Sequence, residues 1–222
     1  MQNYAVQSYR RQPARTDVLT GPSVRADAIY GASGSEFSAP PRVLSVARSR
    51  SSNAHLATGE QRVLRTLMFT DIVASTEHAA AVGDDCWRTI IRRYNAATHA
   101  VVTQFEGMVL KSLGDGHLVS LRCPTQAIFC ARAVRSAAED MNLKIRVGVH
   151  TGECELMDEN DVAGLAVHIA ARVTALADAD EILVSSTVRD LVIGSLLRFD
   201  DRGMHTLRGI PGEWHLLAVL DA

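Results

Sequence analysis

Asp71 and Asp115 stand where the sequence predicts that the chain changes direction. Asp71 follows an apolar, β-branched run that begins at Val63, and the pattern becomes helical from Ser75 onward. Asp71 is therefore predicted at a strand-to-helix junction. Three interpretations of this acid are open: a helix N-cap, a turn residue that satisfies its own backbone, or a ligand for a cation.

Asp115 lies between two glycines in "KSLGDGHLV". Residues 108–113 and 117–121 read as the two strands of a β-hairpin, with Asp115 at its tip. Two carboxylates brought close together repel each other unless a cation lies between them, and hard oxygen ligands suit Mg²⁺. A pair of metal ions held by two such acids would serve phosphoryl transfer.

Both helices and strands must position these two acids. One long helical face is apolar and ends at Gly107, a usual C-cap residue. An acidic loop is expected after the strand at 144–149. This alternation predicts an α+β fold with a mixed or antiparallel sheet. The remaining predicted elements are helices at 125–141 and 164–177, a strand at 181–184 and a closing β-rich segment to 220.

Composition narrows the class of protein. The chain has 222 residues, 47% of them hydrophobic, and a formal charge of -2, a balance that gives no indication of nucleic-acid binding. No apolar run approaches the roughly 18 residues of a membrane span, and the N-terminus lacks a secretory h-region, so a cytoplasmic protein is expected. The four cysteines have no CxxC spacing, which indicates buried free thiols and not a zinc site or a disulfide framework.

The chain divides near residue 60. Residues 1–60 carry 7 Arg and 4 acids, a charge of +3, and show no sustained period of 2 or 3.6. We expect a disordered or weakly structured tail there, because this composition cannot bury enough apolar surface to offset the entropy of ordering. A folded domain is expected over residues 61–222.

Four motifs occur in an order that resembles a known family. They are "LMFTDIVASTE", "LKSLGDGHLVSL", "IRVGVHTGE" and "DVAGLAVHIAARV". Together they are similar to class III adenylyl/guanylyl cyclase catalytic domains over residues 63–220. The resemblance implies a sheet with flanking helices around a βαββαβ core. It also implies conversion of a nucleoside triphosphate to its 3′,5′-cyclic monophosphate with release of pyrophosphate.

The resemblance assigns roles around the two acids. Asp71 and Asp115 match the family's metal-binding aspartates, which hold two Mg²⁺ or Mn²⁺ ions, and the carbonyl of Ile72 would add a ligand. The backbone N–H groups that follow, at Val73, Ala74, Ser75 and Thr76, would bind the β- and γ-phosphates, as helix N-termini bind anions.

Further residues match the family's base- and phosphate-binding positions. Lys111 and Asp161 match the pair that reads adenine, whose N1 accepts and whose N6 amine donates a hydrogen bond. Arg172 matches the arginine that stabilises the transition state, and Arg208 replaces a triphosphate-binding lysine. His168 stands where the family usually has an asparagine that bonds the ribose, a change that predicts slow turnover.

These matches imply an adenylyl cyclase that uses ATP and works as a homodimer with two composite sites, with no nucleic-acid or membrane partner. Three alternatives are open: a guanylyl cyclase, a catalytically weak nucleotide-binding module, and a diguanylate cyclase. The diguanylate cyclase ranks last, because "SLGDGHL" lacks the consecutive Gly-Gly-acid hairpin of that class. His117 and His150 are expected to be structural.

Overall fold

The computed structural model describes residues 62–158 and 161–221 of the chain. The expected tail, residues 1–60, lies outside the described residues. Five helices and eight strands form the described part. The helices are α1 (Ser75–Val82), α2 (Asp84–Gln104), α3 (Pro124–Glu139), α4 (Leu165–Leu176) and α5 (Ser186–Leu191). The strands are β1 (Arg62–Ile72), β2 (Met108–Ser112), β3 (Gly116–Leu121), β4 (Ile145–Asp158), β5 (Asp161–Ala163), β6 (Ile182–Ser185), β7 (Phe199–Thr206) and β8 (Glu213–Val219).

The strands form one mixed sheet in the order β2-β3-β1-β4-β6-β8-β7, with β5 paired to β4. All neighbours are antiparallel except β4 and β6, which are parallel. The chain order from β1 to β4 follows the βαββαβ pattern, with α1 and α2 in the first crossover. The predicted α+β class and mixed sheet are confirmed.

Alternating residues of β1 face opposite sides of the sheet, as strand geometry requires. Met68 and Ile72 pack in a core with α2 and α3, whereas Leu67 packs in a second core with α4. Asp71 shares the Leu67 side and Thr70 shares the Met68 side. The carboxylate of Asp71 therefore projects towards α4.

Helix α4 lies unusually close to β4. A Cβ added to Gly148 would lie 2.3 Å from the backbone nitrogen of Thr174, and one added to Gly152 would lie 2.8 Å from the Cβ of Ala166. Only glycine allows backbones to approach so closely. Helix α1, in contrast, buries no residue.

Three features differ from the sequence-based expectation. Helix α2 ends at Gln104, before Gly107. The prediction that an acidic loop directly follows a strand at 144–149 is wrong, because β4 continues to Asp158 and pairs with the whole of β1. The long β1 needs a partner along its N-terminal half, and β4 supplies it. Within the closing β-rich segment, residues 186–191 form α5.

The four cysteines are free, and only Cys130 and Cys154 are fully buried; Cys123 is half-buried and Cys86 is exposed. The expectation of buried thiols is therefore confirmed for two of the four. In the described part of the chain, no helix combines the length and the apolar character needed to span a bilayer.

Candidate active site

Asp71 and Asp115 lie at neighbouring strand ends. Asp71 pairs with Gly116 in the β1–β3 ladder, and Asp115 directly precedes that glycine. The N–H of Ile72 donates to the carbonyl of Asp115 at 3.2 Å. A Cβ on Gly116 would lie 2.3 Å from the carbonyl oxygen of Thr70, so glycine is required for this approach. The structure thus brings the two predicted acids together.

Each carboxylate has one oxygen committed to a neighbour. Arg146 of β4 donates a hydrogen bond from Nε to Oδ2 of Asp71 at 2.8 Å, and its Nη2 lies 2.6 Å from the same oxygen in an ion pair. The hydroxyl of Ser75 donates to Oδ2 of Asp115. The other oxygen, Oδ1, has no hydrogen-bond partner within residues 62–158 and 161–221 in either case. Two open carboxylate oxygens are the hard ligands that a divalent cation prefers.

The interpretations of Asp71 as a helix N-cap or as a self-satisfied turn are wrong. Helix α1 begins at Ser75 and its N-cap is Ala74, three residues after Asp71. The Asp71 carboxylate bonds Arg146, a side chain from another strand, and not its own backbone. Among the described residues, no group of three or more His, Cys, Asp or Glu side chains is arranged to hold a metal ion. A metal here would therefore rest on two acids, backbone oxygen, substrate and water.

Arg146 is the site residue that the sequence reasoning missed. It stands directly opposite Asp71 in the β1–β4 register, 75 positions further along the chain. The visible signal was the alternation of "KIRVGV", which places Lys144, Arg146 and Gly148 on one face of a strand. That signal marked a polar position and did not identify its partner.

The turn before α1 carries the predicted phosphate-binding amides. Ala74 adopts a left-handed conformation, with φ of 54°. The amide of Val73 donates to the carbonyl of Lys144 at 2.9 Å, so the expectation that it is free for phosphate is wrong. The amides of Ala74, Ser75 and Thr76 belong to the start of the helix, where N–H groups have no intrahelical acceptor.

A cavity of about 230 Å³ opens beside the acids on the α4 side of the sheet. Its lining combines three charged side chains, from the ends of β1 and β4 and from the tip of the β2–β3 hairpin, with small residues of α4. They are Asp71, Asp115, Arg146, Ala171, Thr174 and Ala175. The space is suited to a small, highly charged group such as a polyphosphate with its cations.

Lys111 and Asp161 form an ion pair away from this cavity. The Nζ of Lys111, on β2, lies 2.9 Å from Oδ1 of Asp161, at the start of β5. Both side chains are about half exposed. The hydrogen bond from Lys111 holds the pKa of Asp161 below its usual value, so the acid is ionised. The structure places the two predicted base-reading residues in direct contact.

His168 and Arg172 on α4 and Arg208 between β7 and β8 are exposed. His168 and Arg172 are four residues apart and share one helical face. The Nε of Arg172 donates to the backbone carbonyl of Arg208 at 3.2 Å. No hydrogen bond or ion pair between described residues links any of these three side chains to Asp71 or Asp115. The predicted site residues thus fall into two sets within one chain: the two acids, and the five side chains of Lys111, Asp161, His168, Arg172 and Arg208, which make no hydrogen bond or ion pair with them in the described part.

The two histidines expected to be structural are buried. Burial lowers the pKa of His117 to about 4 and that of His150 to about 4, so both rings are neutral near pH 7. His150 Nδ1 lies 2.8 Å from the hydroxyl of Ser185, and its ring meets Trp214 edge-on. His150 therefore belongs to the core.

Comparisons with known proteins show which family and which solved structures this chain resembles. The family model for the adenylate and guanylate cyclase catalytic domain matches residues 60–219 of this chain. A Rhizobium meliloti (strain 1021) protein provisionally named adenylate cyclase 3 is 30% identical over 136 residues, which are 57% of this chain and 23% of that protein. An uncharacterized protein of Mycobacterium tuberculosis (strain ATCC 25618 / H37Rv) is 30% identical over 155 residues, 67% of this chain and 53% of that protein. The chain thus spans from about a quarter to about half of the length of these relatives.

Solved structures share the fold. The adenylyl cyclase CyaB from P. aeruginosa superposes with a TM-score of 0.69 at 21% identity, covering 74% of this chain and 97% of that chain. The guanylyl cyclase Cya2 superposes with a TM-score of 0.66 at 19% identity, covering 73% and 94%. One of these two neighbours is an adenylyl cyclase and the other is a guanylyl cyclase. The likeness therefore establishes the fold and leaves the choice of nucleotide open.

Proposed function

Since the chain belongs to the adenylate and guanylate cyclase catalytic-domain family, we propose that it is an adenylyl cyclase that converts ATP to 3′,5′-cyclic AMP and pyrophosphate. The observation that carries this proposal is the pair of acids. Asp71 and Asp115 meet at adjacent strand ends, each with one open oxygen, next to the guanidinium of Arg146. A reaction that uses ATP in this way would take place in the cytoplasm.

The donor set fits two Mg²⁺ or Mn²⁺ ions held by Asp71, Asp115 and the carbonyl of Ile72. When bound, such ions would lower the pKa of the ribose 3′-OH and neutralise charge on the phosphates. The ordered bonds from Arg146 and Ser75 fix both carboxylates before substrate arrives, so little reorganisation is needed.

The chain's own groups orient the triphosphate. Arg146 lies in the cavity with both acids, and a planar guanidinium suits phosphate oxygens. The amides of Ala74, Ser75 and Thr76 would donate to the β- and γ-phosphates. The new bond joins ribose O3′ to the α-phosphorus, the bond from that phosphorus to the bridging oxygen breaks, and the 3′-OH proton leaves to solvent. No covalent intermediate with the protein is required.

Selection of adenine would rest on Lys111 and Asp161. A lysine donates to N1 and an aspartate accepts from the N6 amine, which is the complement of adenine and the reverse of guanine. The two side chains already lie 2.9 Å apart, so their relative position is set by the fold. Binding of the base would exchange this ion pair for two hydrogen bonds to the ring.

A complete site requires both groups of residues, and a homodimer would supply them. In one chain the acids face the α4 cavity, whereas Lys111 and Asp161 pair elsewhere on the surface. Large apolar side chains that are exposed on one chain are candidates for the interface. They include Leu64, Met108, Met157 and Leu165, and Met108 lines one cavity together with Asp161. In the dimer, Arg172 and Arg208 of one subunit would complete the site of the acids on the other.

A non-enzymatic nucleotide-binding module is the second candidate. It is favoured by His168, a bulkier residue than asparagine at the position assigned to the ribose, which stands exposed one turn before Arg172. Histidine still offers a ring N–H donor, so binding would survive while placement of the 3′-OH suffers. Slow turnover is the expectation if the protein is a cyclase.

One assay separates the candidates. Purified full-length protein is incubated with ATP or GTP, each with Mg²⁺ or Mn²⁺, while cyclic nucleotide and nucleotide binding are both measured. We expect cyclic AMP from ATP, loss of more than about 100-fold in Asp71→Ala and Asp115→Ala, and retained folding in both. ATP binding without product under any metal would support the module, and preferential use of GTP would establish a guanylyl cyclase.

A further inference from the structure

A buried polar network lies on the opposite face of the sheet from Asp71. Thr70 immediately precedes Asp71, and His117 follows the Asp115-Gly116 pair. Thr70 and His117 are cross-strand partners in the β1–β3 ladder. Both are buried, and Tyr94 of α2 completes the network from above the sheet with no exposed surface.

The hydrogen bonds of Thr70 determine which groups donate and which accept in this network. Its hydroxyl oxygen accepts from the Tyr94 hydroxyl at 3.2 Å and from the backbone N–H of His117 at 3.2 Å. With both lone pairs used, the hydroxyl proton points to Nδ1 of His117, 3.3 Å away. The His117 ring therefore carries its proton on Nε2, a buried atom with no partner among the described residues.

This network ties together the two strand ends that carry the acids. The hairpin tip is otherwise joined to β1 at Asp115 by one backbone bond, from Ile72 N–H to the Asp115 carbonyl. The tip is exposed and contains Gly114 with φ of 91°. The Thr70 hydroxyl adds a side-chain connection two residues after Asp115, and Tyr94 anchors that connection to the longest helix.

We propose that Thr70 and Tyr94 are positioning residues that hold Asp71 and Asp115 at the separation needed to bind metal. This inference rests on the proposed function for the identity of the metal ligands. The hydroxyls of both residues are engaged in the buried network, so we assign neither of them to contact with the substrate. Hydrogen-bonding partners behind metal ligands commonly change metal affinity by about 10 to 100-fold when removed.

The structure offers a matched control on the same strand. Thr66 is as buried as Thr70, and its hydroxyl bonds the hydroxyl of Thr151 at 2.9 Å. Thr66 lies five residues before Asp71, and its cross-strand partner in β3 is Leu121, at the end of that strand away from the hairpin tip. Thr66→Val thus removes an equivalent buried bond without affecting the acids.

The experiment measures Mn²⁺ binding directly, by the electron paramagnetic resonance signal of free Mn²⁺ titrated with full-length protein and a non-cyclisable ATP analogue. The variants are Thr70→Val, Thr70→Ser, Tyr94→Phe and Thr66→Val, each with its thermal unfolding curve. We expect about tenfold weaker Mn²⁺ binding in Thr70→Val, about threefold in Tyr94→Phe, and near wild-type binding in Thr70→Ser and Thr66→Val.

Equal Mn²⁺ affinity in Thr66→Val, Tyr94→Phe and Thr70→Val, with only melting temperatures changed, would overturn the proposal and make the network purely structural. If Thr70→Val does not fold, Tyr94→Phe decides, because it keeps the aromatic ring in the core. Asp71→Ala serves as the test of the metal site itself. Unchanged Mn²⁺ binding in that variant contradicts the proposed function, whether or not any cyclic nucleotide is formed.

Discussion

Arg146 faces Asp71 across the β1–β4 ladder and holds a single oxygen of its carboxylate by one hydrogen bond, from Nε, and by the ion pair from Nη2. The Arg146 guanidinium therefore holds the Asp71 carboxylate in place in the absence of metal and leaves its Oδ1 open. A charge placed this way has two opposite effects. It competes with a metal ion for Asp71, and it offers a counter-charge to a bound triphosphate.

Replacing Arg146 with glutamine separates these effects. Arg146→Gln is expected to raise the affinity of the nucleotide-free protein for Mn²⁺, because a competing cation is removed. The same change should lower kcat/KM for ATP by about 100-fold, since a charge-assisted contact to phosphate is lost. Calorimetric Mn²⁺ titration and steady-state kinetics measure the two quantities.

Arg62→Gln is the matched control for Arg146. It removes another β1–β4 ion pair, with Glu153, whose partners are 3.3 Å apart and largely exposed. An exposed pair contributes little, so both measurements should match wild type. If Arg146→Gln left kcat/KM unchanged, the assignment of Arg146 to the phosphates would be wrong.

Exchanging the base-reading pair is expected to alter nucleotide preference. Lys111→Glu with Asp161→Cys removes the donor to N1 and the acceptor from N6, so the ratio of kcat/KM for ATP over GTP should fall by at least about tenfold. The control is another exposed Lys–Asp pair, in which Lys144 and Asp180 lie 3.9 Å apart. Lys144→Glu with Asp180→Asn should keep the wild-type ratio. A full ATP preference in the first variant would place base selection elsewhere.

Mixing two inactive variants tests the composite site. One chain carries Asp71→Ala and Asp115→Ala, and the other carries Lys111→Ala and Asp161→Ala. In a heterodimer, one site collects all four changes and the other is wild type. With random pairing, half of the dimers and half of their sites give roughly one quarter of wild-type activity. Subunit exchange without any recovered activity would show that each chain builds its site alone.

Alanine substitutions at the two glycines of the β2–β3 hairpin turn are expected to lower activity to different extents. Gly116→Ala forces a Cβ to within 2.3 Å of the Thr70 carbonyl, which separates β3 from β1 beside both acids. Gly114→Ala meets open space and carries only the strain of φ at 91°, about 1 kcal/mol. We predict near-complete loss of activity for Gly116→Ala and modest loss for Gly114→Ala. Kinetics with parallel unfolding curves provide the comparison, and equal activities would contradict it.

His150 is expected to make stability depend on pH. Its pKa is lowered from 6.5 to about 4 by burial, so the unfolded chain binds the proton first as pH falls. The free energy of unfolding should therefore be greatest above pH 6.5 and decrease towards pH 4, by at most roughly 1.4 kcal/mol per pH unit for this group.

The check on His150 is denaturant unfolding between pH 4 and 7. His150→Asn should lower stability at pH 7 through lost packing with Trp214 and should make the pH dependence shallower, leaving the contribution of the buried His117. His205→Asn, at an exposed hydrogen bond on β7, should leave the slope unchanged. An unaltered slope in His150→Asn would assign the pH dependence to other groups.

Local signals predicted the strand end at Asp71 and the hairpin tip at Asp115, each from a short stretch of sequence. That the two acids form one site was implied by the resemblance to the cyclase family, because the β1–β3 pairing that brings them together is long-range. The register that sets Arg146 against Asp71 joins residues 75 positions apart, and no local pattern encodes it. The use of the Val73 amide by Lys144 depends on the same pairing. Long-range register was therefore the part that the sequence could not supply.

The tight seating of α4 on β4 has a consequence for motion. Because Gly148 and Gly152 leave no space beneath Thr174 and Ala166, α4 cannot slide or rock without breaking backbone contacts. Helix α1 buries no residue, although its first residue, Ser75, bonds Asp115, so we expect the part of α1 after Ser75 to shift more readily than α4. Entry and release of a ligand would then be accommodated by α1, with α4 as the stationary wall. Amide hydrogen exchange would accordingly be fast along α1 and slow along α4.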